Sequence, residues 1–381
     1  MDHYQKPQDL DERPSSRFAA MRPDRKTLPR LFRNLKYFFL DSWFDIICIL
    51  IIAGIAGAVW IIQAHPSLLF PLLAPDGTTY NPSISYPYRE PIFSSLAAGL
   101  ICGFIPAAII LFAQFWVRSF ADCSSAILGL LYSLSSGTCF QVILKKSIGG
   151  LRPHFLTVCE PVIPEGVVGQ GFNGIMYSVG QVCTGNQSDV NNALQSFPSG
   201  HTEVAFAGLG YLTIYLFTHL RIGDRDRSVK AGFWRMVAVL APILLATYIS
   251  CTLVLGYHHH AYDCFFGAAI GSLTALLGYR TAFRSITDSR TNWKPRVGRR
   301  LKRALESDAT ESDEHGHRDL EEGLTGGVGG GVHVNGNANG GEGDRARGIQ
   351  LVNGDRRAPF RRGVRESLSD GDTENENEAR N

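Results

Sequence analysis

Long apolar runs separated by shorter polar connections dominate the middle of this 381-residue chain, and polar stretches flank them. Six runs have about the length a helix needs to cross a hydrocarbon core about 30 Å thick. They lie at roughly Tyr37 to Gln63, Ile92 to Val117, Cys123 to Leu144, His201 to Leu220, Trp234 to Gly256 and Ala261 to Leu277. So few internal charges favour a membrane bundle over a large soluble helical protein. The expected fold class is all-α, a six-transmembrane helical bundle over residues 37–283 with disordered cytoplasmic tails. Residues 1–36 read as a basic N-terminal tail, and residues 284–381 as a basic juxtamembrane segment followed by a disordered C-terminal tail. Because a long polar stretch precedes the first run, that run reads as a signal anchor and not as a cleavable signal peptide.

A formal net charge of +2 says little, but the positions of the charges orient the chain. Arg22, Arg25, Lys26, Arg30, Arg33 and Lys36 precede the first run. Arg221, Arg225, Arg227, Lys230 and Arg235 fall between the fourth and fifth, and Arg284 to Arg303 holds a third basic cluster after the sixth. Six crossings put all three on one side, which predicts cytoplasmic termini and a luminal or extracellular opposite face. The basic run Arg296 to Arg303 suits anionic headgroups, although plain orientation explains it equally well. The organelle is not legible.

On the outer side, His65 to Pro91 carries six prolines among tyrosines and serines, which suggests an ordered cap. Its Leu68-Leu69-Phe70 could dip into the interface or pack on neighbouring helices. Cys159 and Cys183 are the only cysteine pair in the long outer loop, a compartment that permits a disulfide, and Asn186-Gln187-Ser188 is an acceptor pattern for N-glycosylation at Asn186. Beyond Arg303 the chain turns acidic and then glycine-rich. No strand precedes those glycines and no Lys-Ser/Thr pair follows them, so they read as linker and not as a nucleotide loop. No nucleic-acid partner is expected, and the oligomeric state is not legible.

Three clusters at the outer ends of the runs carry chemistry. Lys145 and Arg152-Pro153 supply two cations, the second a planar fork suited to phosphate, although cations at a span end also serve as interfacial anchors. Pro198-Ser199-Gly200-His201 opens the fourth run, where free helix-start amides form an anion site. His201 is there a candidate general acid; an ordinary capped helix start is the plainer alternative. His259 and Asp263 are four residues apart, a spacing that brings them onto one helical face, so the carboxylate can orient the ring as a nucleophile. The adjacent His258, His259 and His260 point in different directions along a helix and lack further spaced ligands, so no metal site is expected.

Lys145-x6-Arg152-Pro153, Pro198-Ser199-Gly200-His201 and His259-x3-Asp263 resemble the three-part signature of the type 2 phosphatidic acid phosphatase superfamily, integral-membrane lipid phosphate phosphatase branch. The stretch Lys146 to Cys159 is especially similar to that branch. The resemblance implies a cofactor-free, metal-independent site at the outer membrane edge, acting on phosphatidate, lysophosphatidate or a related lipid phosphate. It implies that His259 forms a phosphohistidine, Asp263 orients it and His201 protonates the departing alcohol, while Lys145, Arg152, Ser199 and Gly200 hold the phosphate. One position departs from the pattern. The third motif begins Ser-Arg in the family, and here those positions are Thr252 and Leu253. The alternative expectation is therefore a catalytically impaired pseudophosphatase that binds lipid phosphates or partner proteins, unless Lys146 or His258 replaces the missing cation.

Overall fold

The computed structural model describes residues 27–62, 68–222 and 232–310. In chain order its helices are α1 (Thr27–Ile61), α2 (Ser95–Val117), α3 (Phe120–Ser147), α4 (Phe155–Cys159), α5 (Val179–Val182), α6 (Gln187–Ala193), α7 (Gly200–His219), α8 (Phe233–Leu255) and α9 (Ala261–Ala282). Two short strands, β1 (Leu69–Pro71) and β2 (Met176–Ser178), pair antiparallel with Phe70 opposite Tyr177, a small β element that the all-α expectation lacked. The glycine-rich tail, and the disorder expected of it, lie outside the described residues.

Five described helices, α1, α2, α3, α8 and α9, are long and apolar enough to cross a membrane. The fourth expected span, α7, is not among them, because it carries His201, Glu203, several glycines and His219. Its polarity faces protein: α7 packs against α2, α3, α8 and α9, and most of its side chains are buried. Small residues permit that closeness. A methyl at Gly267 or Gly271 of α9 would overlap α7 backbone, and one at Gly208 of α7 would overlap the Cys102 backbone of α2. At the end of the bundle away from Lys145, the Asp122 carboxylate accepts from Tyr215 (2.8 Å) and Gln114 (3.0 Å) and meets His219 Nε2 at 2.7 Å. That satisfied network ties α2, α3 and α7.

Two boundaries differ from the sequence reading. Helix α1 begins at Thr27, within the expected tail, and its 35 residues extend about 52 Å, well beyond a hydrocarbon core. Leu28, Leu31, Phe32 and Leu35 give that stretch a helical period which the interleaved arginines obscure. The second lies in the expected juxtamembrane segment, where residues 299–310 are helical and dock on α1. Asp41 of α1 accepts from the backbone N–H groups of Arg300 and Leu301, both at 3.0 Å, capping this helix from a distant part of the chain. Leu301 and Ala304 are buried, Asp308 pairs with Arg33, and the Asn34 amide reaches Asp308 at 3.5 Å. The basic run thus lies against protein on one side.

The loops at the Lys145 end form an ordered cap with its own core. Phe70, Leu72, Ile84, Phe155, Leu156, Tyr177, Val179, Val182, Val190 and Leu194 are buried together. Phe70 packs edge-on against Phe155, with ring centroids 5.0 Å apart, whereas Leu68 and Leu69 stay exposed. A Cys159–Cys183 disulfide joins the end of α4 to the residue after α5.

Candidate active site

Backbone pairing between two loops builds the site. After α3 the chain turns through Gly149 and Gly150, both at positive φ, which glycine adopts without steric cost. The turn accepts hydrogen bonds from Phe197 N to Gly149 O (3.0 Å) and Ser196 N to Gly150 O (2.9 Å), and Arg152 N donates to Ala193 O (2.9 Å). Lys145 and Arg152 are thereby fixed beside the start of α7. Gln141, one turn before Lys145, donates its Nε2 to Pro198 O at 3.1 Å and holds that start from the other side.

Lys145 is buried and donates to Gln195 O at 2.9 Å, which leaves two ammonium protons for a ligand. Arg152 donates an N–H to Asn192 Oδ1 at 2.9 Å, and its Nε is buried without a partner. Burial lowers the Arg152 pKa to about 10, so the guanidinium stays charged at neutral pH. His201 is the second residue of α7, and its Nε2 is buried without a hydrogen-bond partner. Ser199 is the α7 N-cap, but it is fully buried and lines neither cavity described below; its N–H donates to Asp263 O at 3.1 Å. Pro198 precedes the cap, so it shapes the approach to α7 and not the first turn.

His259 and Asp263 meet, though not on one helical face as the spacing suggests. Helix α9 begins at Ala261 after its N-cap His260, so His259 stands in the preceding loop. Its Nδ1 lies 3.7 Å from Asp263 Oδ2, ion-pair range but longer than a hydrogen bond. That oxygen already accepts from Ser196 Oγ (2.6 Å) and His260 N (2.9 Å), while Asp263 Oδ1 is buried without a partner. Burial pushes the His259 pKa down to about 3, against the raising effect of Asp263, so the ring is neutral at pH 7.

Leu253 is buried, and its carbonyl accepts from the N–H groups of His258 (2.9 Å) and His259 (3.4 Å), so the departing position fixes the loop of the expected nucleophile. Lys146 stands over the Trp60 ring at 5.2 Å. His258 is in the wall beside Leu253, with its Nε2 buried and unpartnered, and its ring lies 5.3 Å from that of His154. Burial, followed by the charge of Arg152, lowers the His258 pKa to about 4, so it brings no cation at neutral pH. His154 in turn bonds Tyr257 O at 2.8 Å, and Tyr86 stacks on Tyr257 from the cap.

Two cavities meet here. The larger, ≈ 980 Å³, runs from Lys145, Arg152, His201 and His259 along α3 to Leu131, with Ile49, Ala53 and Trp60 of α1 as its side wall. The smaller, ≈ 460 Å³, is polar and includes Tyr88, His154, Glu160, Asn186, Leu253 and His258. Arg152, His201 and His259 line both. Among the described residues no group of three or more His, Cys, Asp or Glu side chains is placed to hold a metal ion. Asn186 is exposed and caps α6 with its Oδ1, through Ser188 N at 2.8 Å.

Residues 126–287, which contain all three clusters, match the PAP2 superfamily model. A PA-phosphatase related-family protein of Dictyostelium discoideum is 30% identical over 258 residues, covering 67% of this chain and 72% of the relative. The chain belongs to the PAP2 superfamily. Lipid phosphate phosphatase 2 of Arabidopsis thaliana is 33% identical over 202 residues, 52% of this chain and 65% of that protein. Diacylglycerol pyrophosphate phosphatase 1 of Saccharomyces cerevisiae is 33% identical over 165 residues, 43% of this chain and 54% of that protein. The match thus spans about two thirds or less of these two relatives. No solved structure matches this PAP2 chain. With five membrane-length helices, it is a multi-pass integral membrane protein.

The sequence reading missed Asn192, Gln195 and Ser196, which hold Arg152, Lys145 and Asp263 in place. Nothing local marks them, because each acts across a loop pairing.

Proposed function

We propose that this protein is a lipid phosphate phosphatase that hydrolyses phosphatidate, lysophosphatidate or a related lipid phosphate through a phosphohistidine intermediate, without a metal. The supporting observation is the siting of Arg152, His201 and His259 in the wall shared by a long, largely apolar channel and a polar chamber. An amphiphile's tail fits the first, and its phosphate reaches the second.

Lys145, Arg152 and the free amides at Gly200 and His201 hold the phosphate oxygens, while Ser199 fixes that helix start through its bond to Asp263. His259 attacks phosphorus through Nε2, forming a P–N bond as the P–O bond to the lipid breaks. His201 delivers a proton to the departing alkoxide, and Asp263 stabilises the charge developing on His259. Water, deprotonated by His201, then displaces His259 and releases inorganic phosphate. In this topology α7 is the fourth of six spans, both termini are cytoplasmic and the site faces the lumen or exterior. Asn186→Gln should then remove a glycan, and a tag near Asn186 that a cytoplasmic protease can cut overturns the orientation.

The deciding experiment measures phosphate release from phosphatidate in mixed micelles containing chelator. Wild type should turn over and form an acid-labile phosphoenzyme, while His259→Ala should do neither. Equal release from both proteins, or an absolute need for added Mg²⁺, refutes the mechanism. Leu253 favours a second reading, a binder without turnover. Lipid phosphate binding with no release by wild type would select it.

A further inference from the structure

Glu203 is a buried carboxyl that the proposed chemistry does not use. It lies in α7 just past the Pro198–His201 cluster, is 1% exposed, and its Oε1 has no hydrogen-bond partner. It makes no ion pair among the described residues, and Gly137 of α3 is so close that a methyl there would overlap the carboxylate. An acidic side chain at such a position in a membrane bundle is costly and marks a function.

The channel supplies one. Glu203 lines it together with Gln141, and both stand just inward of the cations. Gln141 precedes Lys145 by one turn, about 6 Å along α3, and Glu203 follows Gly200 by about 4.5 Å along α7. Gln141 gives one of its two amide N–H groups to Pro198 O, and its oxygen, like the Glu203 carboxyl, remains as an acceptor. Both acceptors thus belong to the channel wall about one helical turn inward of the cations, the depth at which the lipid carbon next to the phosphorylated carbon would enter. A lysophosphatidate carries a hydroxyl there and a sphingoid-base phosphate an ammonium, whereas phosphatidate carries an ester with no donor.

We infer that Glu203, seconded by Gln141, selects lipid monophosphates bearing a hydroxyl or ammonium donor beside the phosphorylated carbon and disfavours diacyl phosphates. This rests on the lipid phosphate phosphatase reading. A site built to bind a donor rejects the analogue that lacks it, because its buried acceptors are left unpaired.

The test compares kcat/KM for a lysophosphatidate, a sphingoid-base 1-phosphate and phosphatidate of matched chain length in mixed micelles. Wild type should favour each donor-bearing lipid by about tenfold or more. Glu203→Leu, which fits an apolar bundle, should bring both ratios to within about threefold of unity while retaining phosphatidate turnover. Glu203→Gln keeps an acceptor oxygen but no charge, so it should preserve the hydroxyl preference and lower the ammonium one. Wild-type ratios near unity, ratios unchanged in Glu203→Leu, or an equal loss on all three lipids overturn the inference. If no lipid is hydrolysed the phosphatase reading falls, and the same three ratios, measured as binding affinities for wild type and Glu203→Leu, decide the selectivity.

Discussion

Leu253→Arg adds a guanidinium to the wall where Arg152, His258 and His259 already meet. Removing the buried leucine forfeits about 1.5–3 kcal/mol of apolar burial. The new cation also joins Lys145 and Arg152, so the empty variant should melt below wild type. A phosphate in the site reverses that balance. One preorganised donor aimed at transition-state charge is commonly worth ~2.7–4 kcal/mol. The ≈ 460 Å³ chamber beside Leu253 gives the longer side chain room to turn inward. Allowing for imperfect aim, kcat/KM should rise about tenfold or more, equivalent to ~1.4 kcal/mol. Phosphate release and thermal unfolding, each with and without inorganic phosphate, read both effects on the same preparation. Phosphate should raise Tm more in the variant than in wild type. Brisk wild-type turnover that falls in a well-folded Leu253→Arg protein would show that another group already serves the phosphate, and the reasoning about this position would fail.

Ser196→Ala removes the 2.6 Å bond to Asp263 and should lower kcat by about tenfold with little change in KM; a change confined to KM would contradict its positioning role. Cys159→Ser, which opens a disulfide of sequence separation 24, should cost ~3.5 kcal/mol of stability, and an unchanged Tm would refute that figure. The buried histidines His258 and His259, with pKa values lowered to about 4 and 3, make the fold acid-sensitive. Below about pH 6.5 the unfolded chain binds protons that the folded chain does not, so stability is full above that value and falls toward pH 4 by on the order of 1.4 kcal/mol per unit for each histidine. A Tm flat between pH 7 and 5 would be inconsistent with those burials.

The five membrane-length helices were legible because hydrophobicity alone specifies them, and the three motifs because each sits where an apolar run starts or stops. What escaped depended on distant partners. Nothing near Leu301 announces a helix, since its cap is Asp41 of α1. The loop that carries Asn192, Gln195 and Ser196 acquires meaning only when Gly149 and Gly150 pair with it. Spacing brought His259 and Asp263 together for an inexact reason: the helix starts two residues after His259, and the pair meets across its first turn. Glu203 was hidden by the apolar run around it, which reports on average hydrophobicity and not on the one residue facing an internal channel.

Two cavities of different polarity sharing a single wall have a consequence for turnover. On the proposed chemistry, the bond that breaks lies at that wall, so cleavage leaves one product on each side of it. The deacidified lipid occupies the channel flanked by α1, a helix with much of its apolar surface uncovered, and can drift sideways into the bilayer. Inorganic phosphate is left in the polar chamber among Arg152, His154 and His258. The products therefore depart by separate routes into separate solvents, and neither has to wait for the other.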